Sequence, residues 1–158
     1  MLGMARVYLE TSFVSACVTL REDTASKYRR LASREWWEQQ ASRHELYLSA
    51  EVLRELADPR HLTGEQALDL VGRVPLLPLD APVVGFAEAL VRHKVMPGPT
   101  AGDALHVAVC CFFGVDYLLT WNVRHLANAN KVAHLRAVCL RAGLVPPSIV
   151  TPDLLWES

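Results

Sequence analysis

The chain has 158 residues, 51% of them hydrophobic and 21% charged, with a formal net charge of −1. That length and apolar content describe one folded domain burying about two thirds of its unfolded surface, and they exclude a disordered or low-complexity chain. The near-neutral balance excludes a globally basic nucleic-acid binder, but Lys occurs only at 27, 94 and 131, and the remaining basic residues are Arg, which suits bidentate phosphate contacts.

In chain order, Val7-Tyr8-Leu9 is β-branched and aromatic and reads as a first strand, with Glu10 at its end. Thr11 and Ser12 are good caps for a helix through Phe13–Cys17. Asp23 and Thr24 open a long charged helix whose apolar face carries Ala25, Tyr28, Leu31 or Ala32, and Trp36. Glu45–Leu48 is a second strand, and Ser49 caps a helix bearing Glu51 and Glu55, which Asp58-Pro59 ends. Gly64–Arg73 is amphipathic through Ala67, Leu68 and Val71. Val74–Leu79, with two prolines, reads as a short or edge strand. Asp80-Ala81-Pro82 opens a helix to about Lys94. A Pro/Gly loop over 96–102 leads to Asp103, placed in the first turn of the most apolar helix, where the macrodipole favours a carboxylate. Val115–Thr120 is a strand followed by Trp121 and Asn122, Val132–Ala142 a helix ending at Gly143, and Ser148–Thr151 a last strand.

Strands alternating with helices of this length predict a three-layer α/β/α sandwich around a mostly parallel sheet, as a single domain over residues 1–158. Ligand sites in such sheets lie at the carboxyl ends of the strands. Glu10, Asn122 and the helix carrying Glu51 and Glu55 all reach that rim, and Asp103 joins them. An oxygen-rich rim of this kind suits a hard divalent cation. Cys17, Cys110, Cys111 and Cys139 lack metal-binding spacing and read as small buried hydrophobes. The longest apolar run, around Ala104–Phe113, falls short of the ~18 residues of a membrane span. Arg6 and Glu10 interrupt any leader-like core, so a cytoplasmic protein is expected.

The ordered segments YLETS (8–12), SAEVLREL (49–56), DALHVAVC (103–110) and DYLLTWN (116–122) resemble PIN-domain ribonucleases, the family that includes VapC-type toxins. The closing IVTPDLL (149–155) is similar to the family's C-terminal signature, so the resemblance spans about residues 6–155. It implies a PIN-like fold and a Mg²⁺- or Mn²⁺-dependent endoribonuclease, the toxin of a toxin–antitoxin pair. It also implies RNA as substrate, an antitoxin as partner, and a homodimer. Carried over by motif, the catalytic positions are Glu10, Glu55, Asp103 and Asn122, with Glu10, Glu55 and Asp103 as metal ligands. The family's usual first acid is Asp and its fourth position is commonly acidic, so Glu10 and Asn122 depart from the pattern. Those departures support an alternative: a weak or inactive PIN-like module that binds RNA or a protein.

Around these four, Glu51 lies one turn from Glu55 and can only favour the helix dipole if it does not face the site. His106 orients Asp103, touches a phosphate or rests in the core. Thr11, Ser12 and Thr120 are strand-end hydroxyls, suited to capping or to holding water or phosphate. Trp121 either packs, the favoured reading, or stacks an unpaired base. Arg124 is a candidate RNA-phosphate contact. No Ser-His-Asp order, nucleophile elbow or G-x-x-x-x-G-K-[ST] loop is present.

Overall fold

The computed structural model describes residues 3–158, so the first two residues of the expected 1–158 domain lie outside the described residues. Its centre is β1 (Arg6–Leu9), in which Val7, Tyr8 and Leu9 expose no surface. A strand buried on both faces is the mark of a parallel sheet covered by helices on each side. β1 pairs in parallel with β2 (Glu45–Ser49) on one side and with β4 (Tyr117–Leu119) on the other. The two-residue β3 (Leu76–Leu77) edges β2, and β5 (Ser148–Val150) edges β4. All five strands are parallel, in the order β3-β2-β1-β4-β5.

The chain thus moves outward from β1 through β2 to β3, crosses back to β4, and continues outward to β5. Right-handed crossovers place the helices of those two halves on opposite faces. The first half supplies α1 (Thr11–Val18), α2 (Thr24–Gln39), α3 (Ala50–Leu56) and α4 (Gly64–Leu70), with α1 packed on the other three. The second supplies α5 (Ala81–Arg92) packed on α6 (Leu105–Phe112), and then α7 (Ala129–Arg141). The three-layer α/β/α sandwich expected from the sequence is present. None of the helices is long and apolar enough to cross a membrane, among the described residues.

Trp36 anchors the first layer. Its ring meets Phe13 edge-on at 5.5 Å, stacks on His44 at 5.5 Å, and donates its indole N–H to the Leu155 carbonyl at 2.8 Å. Gln40 extends this clasp by exchanging two hydrogen bonds with the Glu157 backbone, at 2.7 and 3.0 Å. All four cysteines are buried free thiols, with Cys111 and Cys139 in contact at 3.6 Å between α6 and α7.

Three local expectations need correction, and a fourth, the first-turn placement of Asp103, holds. Helix α1 begins at Thr11 and its cap is Glu10, whose side chain accepts from the Ser12 amide; neither Thr11 nor Ser12 caps it. Ser49 precedes α3 but makes no side-chain cap, because its hydroxyl bonds across the sheet to Tyr8 at 2.8 Å. Asp103 does stand in a first turn: Ala101 and Gly102 have non-helical backbone, with Gly102 at φ +96°, and the helical path starts at Asp103, just past that kink. On α2, Tyr28 and Leu31 are exposed and the buried positions are Ser33 and Trp36. The first and last strands match their sequence-based bounds within a residue or two, as strand ends commonly do.

Candidate metal centre

The strand order reverses between β1 and β4, and the carboxyl ends of those strands are where a doubly wound sheet opens a crevice. Glu10 follows β1 directly and Thr120 follows β4 directly. The crevice continues into a groove of about 1010 Å³ lined by Glu10, Glu55 and Asp103 and edged by Arg21, Arg29, Arg60 and Arg124. A smaller groove between Trp37, Tyr47 and Arg73 lies near the start of β2, away from this rim.

Glu10 is 5% exposed, yet its carboxylate is well satisfied. It accepts hydrogen bonds from the Ser12 hydroxyl and the Thr120 hydroxyl, each at 2.5 Å, and from the Ser12 amide at 3.2 Å. One carboxylate thus both caps its own helix and lines the groove. Ser12 also accepts from the Trp121 amide at 2.8 Å, and Thr120 from the Asn122 amide at 2.9 Å. Strand-end hydroxyls therefore fasten β1 to β4 through the acid itself.

Glu55 enters from α3. Its Oε1 accepts from the Thr11 hydroxyl and from His106 Nε2, both at 2.6 Å. Burial would raise its pKa, but the hydrogen bond and charge of His106, aided by Thr11, hold it below the usual value. The Glu55 carboxylate is therefore ionised near neutral pH. Glu51 is on the same helix yet does not line the groove. It is buried and paired with the Arg54 guanidinium.

His106 shows no accessible surface and lies on α6. Nε2 donates to Glu55 and is 4.0 Å from Glu10; Nδ1 is 2.6 Å from the Tyr8 hydroxyl. Burial alone would depress its pKa, but the Glu55 hydrogen bond and the neighbouring Glu10 charge raise it above the ordinary histidine value. Tyr8 bridges onward to Ser49 at 2.8 Å, and burial keeps its phenol protonated well above its usual range. Tyr8 and Ser49 carried no signal in the sequence, because the first looked like any strand aromatic and the second like any helix cap.

Asp103 lines the same groove from the kinked segment before α6. Burial raises its pKa, only partly offset by the charges of His106 and His125. Its carboxylate accepts from the Asn122 amide nitrogen at 3.3 and 3.4 Å. The Asn122 carbonyl oxygen is already engaged by the His125 backbone N–H at 3.1 Å, so Asn122 presents its NH₂, not its oxygen, to the acid. Trp121 is 7% exposed, donates to Ser33 at 2.7 Å and lies under Arg29 at 5.5 Å; it packs, as the favoured reading had it. Arg124 sits on the groove's edge.

Glu10, Glu55 and His106 each offer a ligand atom, and the three atoms lie within 4.8 Å of one another. Ligands of one hard cation, each bonded at roughly 2.0–2.6 Å, take such spacings. The donor chemistry fits a hard divalent cation: two carboxylates converge, while Asp103 lines the same groove without joining that group. The His106 nitrogen that reaches the group is committed to Glu55, which makes it a support for the acid.

No family model matches the chain, and no curated protein does. Solved structures do. VapC20 of Mycobacterium tuberculosis, described as a sarcin–ricin loop cleaving toxin, superposes with a TM-score of 0.58 at 20% identity, covering 89% of this chain and 99% of that one. VapBC2 from Rickettsia felis, bound to a DNA fragment from its promoter, gives 0.54 at 15% identity over 75% and 89% of the two chains. FitAcB from Neisseria gonorrhoeae gives 0.51 at 16% identity over 94% and 99%. The groove, its acids and the switch point that places them thus belong to a chain with the fold of the VapC-type PIN domains.

Proposed function

We propose that this chain is a divalent-metal-dependent endoribonuclease that hydrolyses RNA phosphodiester bonds as the toxin of a toxin–antitoxin pair. The observation that carries the reading is the convergence of the Glu10 and Glu55 carboxylates at the β1–β4 switch point, at the floor of an arginine-edged groove. The likeness to VapC20, described as a toxin that cleaves the sarcin–ricin loop, supports the reaction class.

In this reading Glu10, Glu55 and Asp103 hold Mg²⁺ or Mn²⁺. The bound ion supplies Lewis acidity, which makes water a better nucleophile and offsets charge on the phosphate. Ser12 and Thr120 fix Glu10, while Thr11 and His106 fix Glu55, so both carboxylates are oriented before the ion arrives. Asn122 donates to Asp103 and steadies it in ionised form. Arg21, Arg29, Arg60 and Arg124 receive the phosphates on either side of the scissile bond, with no demand on base identity. An antitoxin and a second copy of the chain are the partners of this reading, checked by co-purification from a two-gene operon and by light scattering.

The decisive experiment is cleavage of a structured RNA by the purified chain with Mn²⁺, with Mg²⁺, and with EDTA. Activity with either ion, lost in EDTA and reduced at least ~100-fold in Glu55→Gln and Asp103→Asn, is the expected result. A second reading, an inactive PIN-like module that binds RNA or a protein, is favoured by one observation. Glu10 already accepts three hydrogen bonds, which competes with ligation. Retained RNA binding without cleavage under any ion would establish that reading and sink the first.

A further inference from the structure

A chain of three fully buried polar groups runs behind the acidic pair, and nothing in the nuclease reading uses its outer members. Ser49, Tyr8 and His106 each show no accessible surface. They connect Ser49 Oγ to Tyr8 Oη at 2.8 Å, Tyr8 Oη to His106 Nδ1 at 2.6 Å, and His106 Nε2 to Glu55 at 2.6 Å. The members come from β2, β1 and α6, three elements that meet only in the folded core.

We propose that Tyr8, backed by Ser49, is a positioning residue: it locks the His106 ring so that Nε2 holds Glu55 in the orientation that receives the cation. This deepens the proposed function and rests on its assignment of Glu55 as a ligand. A half-turn of the imidazole about its Cβ–Cγ axis would exchange nitrogens for carbons at both ends. The fully buried Tyr8 hydroxyl and His106 ring would lose their mutual hydrogen bond, and Glu55 would lose the one from Nε2. Leaving buried polar groups unpaired is costly, so the hydroxyl pair selects one ring orientation. The phenol serves whether His106 is neutral or protonated, because its hydroxyl can donate to Nδ1 or accept from it. The arrangement matches the general use of outer partners to aim histidines and carboxylates toward metals, where losing such a partner weakens metal affinity by about 10- to 100-fold. Phe at position 8 would fill the same space, with a ring of the same size, and remove only the hydroxyl.

The test uses the full chain and Mn²⁺ alone, with free Mn²⁺ read by electron paramagnetic resonance and the His106 ring nitrogens read by ¹⁵N NMR. Tyr8→Phe is expected to raise the Mn²⁺ dissociation constant about 10-fold and to move the His106 Nδ1 resonance. Amide signals remote from the rim should stay in place, and cleavage should recover at saturating Mn²⁺, as expected when binding and not chemistry is impaired. Ser49→Ala should give a smaller change in the same direction, and it serves as the reporting variant if Tyr8→Phe does not fold. Mn²⁺ affinity within twofold of the parent in the folded Tyr8→Phe chain, or in Ser49→Ala where that variant reports, overturns the proposal and leaves Tyr8 a packing residue. If the parent itself binds no Mn²⁺, the cation reading of Glu55 has failed. The relay is then judged on NMR alone: an unmoved His106 Nδ1 overturns it, and a shifted one retains it as the device that aims His106 at Glu55.

Discussion

Thr120 shows how much of this site rests on single hydroxyls. It is fully buried, donates to Glu10 at 2.5 Å and accepts from the Asn122 amide at 2.9 Å. Thr120→Val keeps the shape and strands both partners, so a loss of roughly 1–3 kcal/mol in urea denaturation is expected. The ionisable residues make a pH-dependent set in the metal-free chain. Glu55, despite burial, is held below its ordinary 4.5 by His106, so its contribution is present above that value and lost as pH falls through the lowered one. His106, despite burial, is raised above 6.5 by Glu55 and Glu10, so its contribution is full below 6.5 and lost as pH rises through the raised value. Thermal midpoints of the chain in EDTA should therefore fall on both sides of that window, and His106→Gln should abolish the alkaline fall. Asp103 works the other way: burial raises its pKa, so keeping it charged costs stability above that value. Asp103→Asn should raise the midpoint at pH 8 while removing the proposed activity.

At the scale of elements, the entry into α6 places Asp103. Ala101 and Gly102 leave the helical path, with Gly102 at φ +96° and open space around a would-be Cβ. Gly102→Ala therefore meets no clash but must adopt a backbone disfavoured for L-residues, and a loss of about 1–2 kcal/mol by chemical denaturation is expected. Gly85, inside α5 with equally open space, is the control: Gly85→Ala should gain about 0.4–1 kcal/mol. This kink explains a limit of the sequence. Asp103 before an apolar run reads as a first turn, which it is, but nothing local shows the kink at Ala101 and Gly102 that sets where that turn begins. The β1–Glu10 boundary was legible because Val7, Tyr8 and Leu9 are a strand on any scale and a charge must leave the sheet. Choosing Glu55 over Glu51 was harder, since residues four apart share a face. Arg54, which pairs with Glu51, separates them only in three dimensions. Ser49 was misread for a similar reason: a serine before a helix looks like a cap until its partner, 41 residues away in sequence, is known.

Across the whole molecule, the alternation of strand and helix was enough to reveal the layers. The strand order and the pairing of β1 with β4 required long-range contacts that no local pattern encodes. The C-terminal segment is tied down in the same long-range way, through Trp36 to Leu155 and Gln40 to Glu157. Ending the chain at Thr151 removes Leu155 and leaves the buried Trp36 N–H unpaired. A loss of roughly 2–4 kcal/mol and a red-shifted tryptophan emission are expected. The reversal of strand order has one more consequence, which concerns the order of synthesis. Glu10 and Glu55 are made early, but Asp103, His106, Thr120 and Asn122, which complete or orient the site, come from residues 103–122. A nascent chain with that segment still inside the ribosome carries two acids and no pocket. As an RNA-cutting chain it would therefore be harmless to the ribosome making it until residues 103–122 have emerged.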